Sequence, residues 1–242
     1  MTDVRHPVVP GALNFRDVGG LPAAAGRTRP GVLFRSGNLA GLEPSGREAL
    51  GRLGLRRVVD LRDDAEVAYE PTDLGELPVE VERVPLFAGS VASFFESDIT
   101  LASLYRSLVD DSGEAIVRAV RGILGGGPVL IHCTVGKDRT GVTVALALAA
   151  VDVEVDAIVA DYARTEAMLP PERNAKILAY LQRAHPDARH LVDLATRSPA
   201  PVMRELLDDL SERYGSPADF LHAHGLTSHE RDELRRTLVS AD

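Results

Sequence analysis

Up to Val151 the chain alternates short β-branched runs with longer stretches of three- and four-residue apolar periodicity. Gly31 to Arg35, Arg57 to Leu61, Val79 to Leu86 and Val129 to His132 read as strands. Between the last two, Ile116, Ala119, Val120, Ile123 and Leu124 recur at helical spacing. That spacing predicts a helix capped near Asp111 or Ser112 and stopped by Gly125-Gly126-Gly127-Pro128. Strand and helix in alternation predict an α/β fold, a central mostly parallel sheet flanked by helices on both faces.

After Asp152 the texture changes and no strand is predicted. Ile158, Val159 and Tyr162 mark one amphipathic helix, Ile177, Leu178 and Leu181 a second, and Met203, Leu206, Leu207, Leu210 and Tyr214 a third. A last helix starts at the capping-box pattern Thr227-Ser228-His229-Glu230 and carries Leu234 and Leu238. No Pro/Gly/Ser-rich linker separates the two textures. Residues 1–242 therefore read as one domain, an α/β core over about 12–151 and a C-terminal helical layer over about 152–242.

A hydrophobic content of 45% over 242 residues allows a substantial core. The net charge of -9, with 27 Lys and Arg dispersed along the chain, offers no basic face and argues against nucleic acid as a partner. Met1 to Pro10 lacks the apolar core of a secretory signal, so a cytoplasmic location is expected, although an unconventional export route would leave no such trace. The longest apolar run, Val142 to Val151, is about half the ~20 residues a spanning helix needs, which excludes stable membrane insertion through it. His185, His190, His222, His224 and His229 lie on polar helices and read as surface residues, so no metal and no cofactor is expected. The one cysteine, Cys133, permits no internal disulfide and no cysteine-based zinc site. Nothing in the pattern speaks to oligomeric state.

The chemistry concentrates in Val129 to Gly141. A buried strand ends at Cys133, a tight polar loop follows, and a helix starts near Arg139. Backbone N–H groups of such a loop converge on one point, and the helix N-terminus adds roughly half a positive charge. This is a cradle for a phosphate dianion, built from Thr134, Val135, Gly136, Lys137, Asp138 and Arg139. The same field favours the ionised form of the cysteine sulfur. The five residues between Cys133 and Arg139 let the guanidinium grip two oxygens of one tetrahedral anion. Thr140 is placed to donate its hydroxyl to the thiolate, and His132 to brace the loop from behind, with direct proton transfer as its other reading. A nucleotide P-loop is excluded, because Asp138 stands where a Ser or Thr must follow Gly136-Lys137.

His132-Cys133-Thr134-Val135-Gly136-Lys137-Asp138-Arg139-Thr140-Gly141 resembles the signature loop of cysteine phosphatases, specifically the bacterial PtpB-like group of tyrosine and lipid phosphatases. Asn14-Phe15-Arg16-Asp17-Val18-Gly19-Gly20, Leu33-Phe34-Arg35-Ser36 and Val59-Asp60-Leu61-Arg62 also resemble that group, in order, over about Asn14 to Leu238. The resemblance implies a cysteine phosphatase fold with a helical cap, Cys133 as nucleophile through a covalent phosphocysteine, Arg139 as phosphate ligand, and no metal. It also implies phosphorylated proteins or phosphoinositides as substrates. The Asn14 to Gly20 segment is assigned a supporting role.

A general acid must protonate the leaving oxygen. Many eukaryotic tyrosine phosphatases carry it on a loop beginning with tryptophan, and this chain has none. Asp138, inside the loop and matching an aspartate of PtpB-like proteins, is the first candidate. Asp60, at a predicted strand end, is the second, with an ion pair to Arg62 or Arg35 as its alternative role. Asp63 and Asp64 read as a solvated turn or helix start. Lys137 resembles a lysine of phosphoinositide-handling relatives and is expected to contact polyanionic head groups, or else to face solvent. Val135 replaces an expected alanine and narrows the slot for an aromatic ring. Ser90 to Val109, with Phe94, Phe95, Leu101, Leu104 and Tyr105, is expected to pack in the core, with a lid over the site as the other reading. Two competing functions are a catalytically silent phosphate-binding module, which typically lacks the nucleophile or arginine, and a sulfur-transfer or arsenate-reducing enzyme, the latter usually requiring further cysteines.

Overall fold

A computed structural model of the protein describes residues 7–86 and 99–241; Ser90, Phe94 and Phe95 lie outside them. Its central sheet has five strands: β1 (Arg16–Asp17), β4 (Leu33–Ser36), β7 (Val129–His132), β5 (Arg57–Asp60) and β6 (Glu80–Arg83), in that spatial order. The last four are parallel, and only β1 runs antiparallel, against β4. Every predicted strand is present, β7 with the predicted ends. The register sets Ser36 and Asp60 on either side of His132, so the carboxyl ends of β4, β5 and β7 finish level with one another. That edge of an open parallel sheet is where α/β folds place their ligands.

Alternate side chains of the central strands feed two cores. Phe34, Val58 and Leu130 pack with Ala49 and Leu50 of α1 (Pro44–Arg52) on one face. Leu33, Val59, Val129 and Ile131 face a much larger cluster on the other. That cluster is supplied by α3 (Leu101–Arg121), α4 (Asp138–Ala150) and the helices that follow. These are α5 (Val155–Met168), α6 (Pro171–Ala184), α7 (Leu191–Thr196), α8 (Ala200–Tyr214), α9 (Pro217–Ala223) and α10 (Ser228–Leu238). The sheet is covered on both faces, and α4 is buried along nearly its whole length. The capping box at Thr227 and Glu230 is formed as the sequence predicts.

Two expectations are corrected. The helix expected to start near Asp111 or Ser112 starts at Thr100, whose hydroxyl forms a capping box with Ser103; Ser112, at φ -127 and ψ 18, is a kink inside it. A polar pair in mid-helix looks like a cap in sequence because both break the apolar period. A strand also follows Asp152: β8 (Val239–Ser240) pairs with β3 (Gly26–Thr28), which pairs with β2 (Pro22–Ala23). Two residues are too few to show a strand's alternation. Among the described residues no helix is long and apolar enough to cross a membrane.

Candidate active site

Cys133 follows the last residue of β7, and α4 begins at Asp138, so the loop between them turns within four residues, 134–137. Gly136 makes that turn possible. Its φ is +74, and a Cβ there would lie 2.4 Å from the carbonyl of Ser36 at the end of β4. Any other residue would meet both backbone strain and a backbone clash.

The loop's peptide groups are oriented from outside. The Gly136 carbonyl accepts hydrogen bonds from Asn14 Nδ2 and Arg35 Nη2, each at 3.0 Å, and the Thr134 carbonyl accepts from the Asn38 N–H at 3.0 Å. The Val135 carbonyl, on the same peptide group as the Gly136 N–H, lies 3.5 Å from Asn14 Nδ2, and that N–H donates to Cys133 Sγ at 3.3 Å. Asn14 adopts the left-handed conformation at φ +54 to reach the loop while buried, a geometry asparagine tolerates better than most residues.

Behind the loop, Arg16 Nε and Arg35 Nη1 grip the two oxygens of Asp161 at 2.8 and 2.7 Å, and all three side chains are buried. Arg16 also donates to the Asp161 carbonyl at 2.9 Å and to Thr165 Oγ1 at 3.0 Å. Burial and the neighbouring Arg35 charge lower the Arg16 pKa to about 10, with Asp161 opposing. Burial alone would raise the Asp161 pKa, but Arg35 and Arg16 hold it below the ordinary range. One carboxylate thus answers two guanidiniums, and a net positive charge remains behind the cradle, where it favours a bound anion.

Arg139, on the first turn of α4, is clamped bidentately by Glu66, Nη1 to Oε2 and Nη2 to Oε1, both at 2.6 Å. Glu66 lies in α2 (Asp64–Tyr69), and its carboxylate also closes the capping box with Asp63 and accepts from the Thr134 hydroxyl. Burial would raise its pKa, yet the hydrogen bond and charge of Arg139 hold it at about 2. The guanidinium is therefore fixed in orientation before any ligand arrives.

Among the described residues, Asp138 is engaged on one oxygen only. Tyr105 donates to Oδ1 at 2.8 Å and Lys137 Nζ at 2.6 Å, while Tyr162 Oη lies 2.7 Å from Tyr105 Oη. Burial and the Asp138 charge raise the Tyr105 pKa well above its usual value, so the phenol stays a donor. Beside the loop a groove of about 700 Å³ runs outward between α2 and α6, with Thr134 and Glu66 at its inner end.

A model described as the tyrosine phosphatase family matches residues 7–240. The chain belongs to the tyrosine phosphatase family. It is 32% identical over 275 residues to the triple specificity protein phosphatase PtpB of Mycobacterium tuberculosis, covering 96% of this chain and 98% of that one. A tyrosine-protein phosphatase of Nostoc commune is 27% identical over 238 residues, 91% of this chain and 79% of its own. Among solved structures, the core catalytic domain of the PP-IP phosphatase SIW14 from S. cerevisiae, in complex with citrate, aligns over 88% of this chain and 98% of its own. Its identity is 19% and its TM-score 0.43.

As a member of the tyrosine phosphatase family the chain is a hydrolase of the cysteine-nucleophile type, and Cys133 is its only cysteine. Several residues sit otherwise than their sequence context predicts. Lys137 is 1% exposed and neither faces solvent nor reaches past the loop, because Asp138 engages its ammonium. Asp60 is locked to Arg62 by contacts of 2.9 and 2.8 Å, and Arg62 overrides the effect of burial to keep the Asp60 pKa low. Of its two expected roles the geometry matches the ion pair, since a carboxyl held ionised is in the wrong state to donate a proton.

Thr140 Oγ1 is buried with no hydrogen-bond partner among the described residues and does not reach the sulfur; the Gly136 N–H takes that position. His132 is buried behind the loop, Nδ1 3.3 Å from the Cys133 carbonyl and Nε2 3.7 Å from Asp60, and among the described residues Nε2 has no hydrogen-bond partner. Burial lowers its pKa against the pull of Asp60. Val135 is half-buried, its carbonyl 3.5 Å from Asn14 Nδ2. Leu101, Leu104 and Tyr105 are buried in α3, where Tyr105 serves Asp138 as well as the core. Glu66 and Asp161 went unassigned in the sequence, and Tyr105 and Tyr162 were given no part at the reacting carboxyl; the one local signal was the Asp63 to Glu66 capping spacing.

Proposed function

We propose that Cys133 is the nucleophile of a metal-independent phosphomonoester hydrolase acting on phosphotyrosine, with phosphoinositides as a second substrate class. The sulfur attacks phosphorus in line, forming the S–P bond as the P–O bond to the leaving group breaks. Asp138 gives that oxygen its proton. Its Oδ2 carries no hydrogen bond among the described residues, and we assign the transfer to this oxygen. In the second step a water oxygen bonds to phosphorus, the S–P bond breaks and the Asp138 carboxylate takes the water's proton. Arg139 and the inward loop amides hold the equatorial oxygens throughout, so catalysis is positioning and electrostatics. Residues of the α/β core, about 12–151, carry the reacting groups, and the helical layer beyond forms one catalytic unit with them.

The observation that carries this reading is the Gly136 N–H aimed at Cys133 Sγ in a loop whose carbonyls are tied outward. Inward N–H groups of such a loop can hold the oxygens of a phosphate in reach of the sulfur. Phosphate release from an aryl phosphate should persist in excess chelator. Cys133→Ser should abolish turnover while retaining phosphate as a competitive ligand. Turnover by Cys133→Ser would defeat the assignment.

A further inference from the structure

We propose that the groove between α2 and α6 holds the polypeptide flanking the phosphorylated residue, and that Arg173 selects an acidic side chain there; this rests on the phosphatase chemistry proposed above. The groove adjoins the reacting centre. Thr134, next to the nucleophile, and Glu66, which clamps Arg139, line its inner end. A volume of about 700 Å³ is far more than a phosphate fills and leaves room for the group that carries it. Its walls include Tyr69, 85% exposed at the end of α2, and Ile177 and Pro170 on the α6 side. Exposed apolar walls around a groove fit an organic chain with side chains of its own.

Each cation of the site itself faces a carboxylate of the chain. Arg139 is held by Glu66, Lys137 by Asp138, Arg62 by Asp60, and Arg16 and Arg35 share Asp161. Arg173 differs. It is half-buried on the groove wall, donates to Asn174 Oδ1 at 3.1 Å, and among the described residues has no carboxylate within ion-pair distance. Lys176, three residues along the same helix, lines the same wall and also has no carboxylate partner among the described residues. Burial lowers the Arg173 pKa, with Glu70 partly opposing, so part of its hydration is lost without a direct ion pair in return.

Two carboxylates decide between kinds of anion. Glu70, whose carboxylate accepts from Asn38 Nδ2, and Glu172 line the groove with the two cations. A polyphosphorylated inositol would bring several negative charges against both. A peptide brings one carboxylate to Arg173, and its backbone N–H groups can meet Glu70 and Glu172. The mixed charge therefore fits a phosphotyrosine peptide with an acidic neighbour.

The test compares p-nitrophenyl phosphate, phosphotyrosine peptides with glutamate, glutamine or lysine beside the tyrosine, and an inositol bisphosphate, using the full chain. Wild type should favour the glutamate over the glutamine peptide about five-fold in kcat/KM, through KM, the scale of one partly screened ion pair. Arg173→Ala should bring that ratio to about one, Arg173→Lys should restore most of it, and Arg173→Glu should shift preference to the lysine peptide. Thermal melts of each variant verify folding. A glutamate preference that survives Arg173→Ala, or is absent in wild type, overturns the subsite. So does an Arg173→Ala loss confined to the inositol bisphosphate, which would give the groove to inositol phosphates. No release from p-nitrophenyl phosphate by wild type would instead remove the phosphatase chemistry, and the subsite with it.

Discussion

Tyr105 donates its phenolic hydrogen to the same Asp138 oxygen that Lys137 grips, at 2.8 and 2.6 Å. Two donors on one oxygen fix the carboxyl's rotation and leave Oδ2 as the oxygen placed to transfer a proton. Tyr105→Phe removes one of them and keeps the ring in the core. Hydrolysis of phosphotyrosine should slow about ten-fold, the scale of one hydrogen bond to a charged group, and that of p-nitrophenyl phosphate much less, since nitrophenolate leaves without a proton. Asp138→Asn should show the same leaving-group dependence at about 10²–10⁴-fold on phosphotyrosine. Equal losses on both substrates would assign Tyr105 to packing alone.

Asp60→Asn should behave differently, because it leaves Arg62 buried opposite a neutral amide. Unfolding in urea should show about 3–5 kcal/mol lost, the cost of breaking a buried pair from one side. Any activity loss should be the same on good and poor leaving groups. A leaving-group-dependent loss would make Asp60 the acid.

Glu66→Gln should raise KM and lower kcat together, by about 10²-fold in kcat/KM, because Arg139 loses the clamp that orients it. It should also change the acid limb of stability. With its folded-state pKa held at about 2 against an ordinary 4.5, Glu66 contributes fully above pH 4.5 and loses that contribution as pH falls toward 2. Urea midpoints between pH 5 and 2.5 should therefore fall less steeply in Glu66→Gln than in wild type. Parallel slopes would mean that the ion pair adds nothing to folding.

What the sequence revealed and what it hid divide by range. β7 and the Cys133 to Arg139 loop were legible because strand, turn glycine and helix start are contiguous. Glu66 lies 73 positions from the Arg139 it clamps, and Tyr105 33 from Asp138, separations over which no periodicity carries information. Asp63 and Asp64 read as a turn or helix start, which they are; that the nearby Glu66 carboxylate reaches across to α4 follows only from tertiary packing. Lys137 was left open for the opposite reason. Nothing local distinguishes a lysine that faces solvent from one folded back on its neighbour, and burial decided between them.

Asp161 sits beyond the point where alternating strands and helices end, yet Arg16 and Arg35, which it joins, belong to the first strands of the sheet. A fragment stopping near Val151 would retain every residue that meets phosphate and lose the carboxylate between two interior guanidiniums. Their mutual repulsion would then fall on the side chain that ties down the Gly136 carbonyl. The α/β portion is thus no transplantable module, and any minimal catalytic version of this chain has to extend through α5.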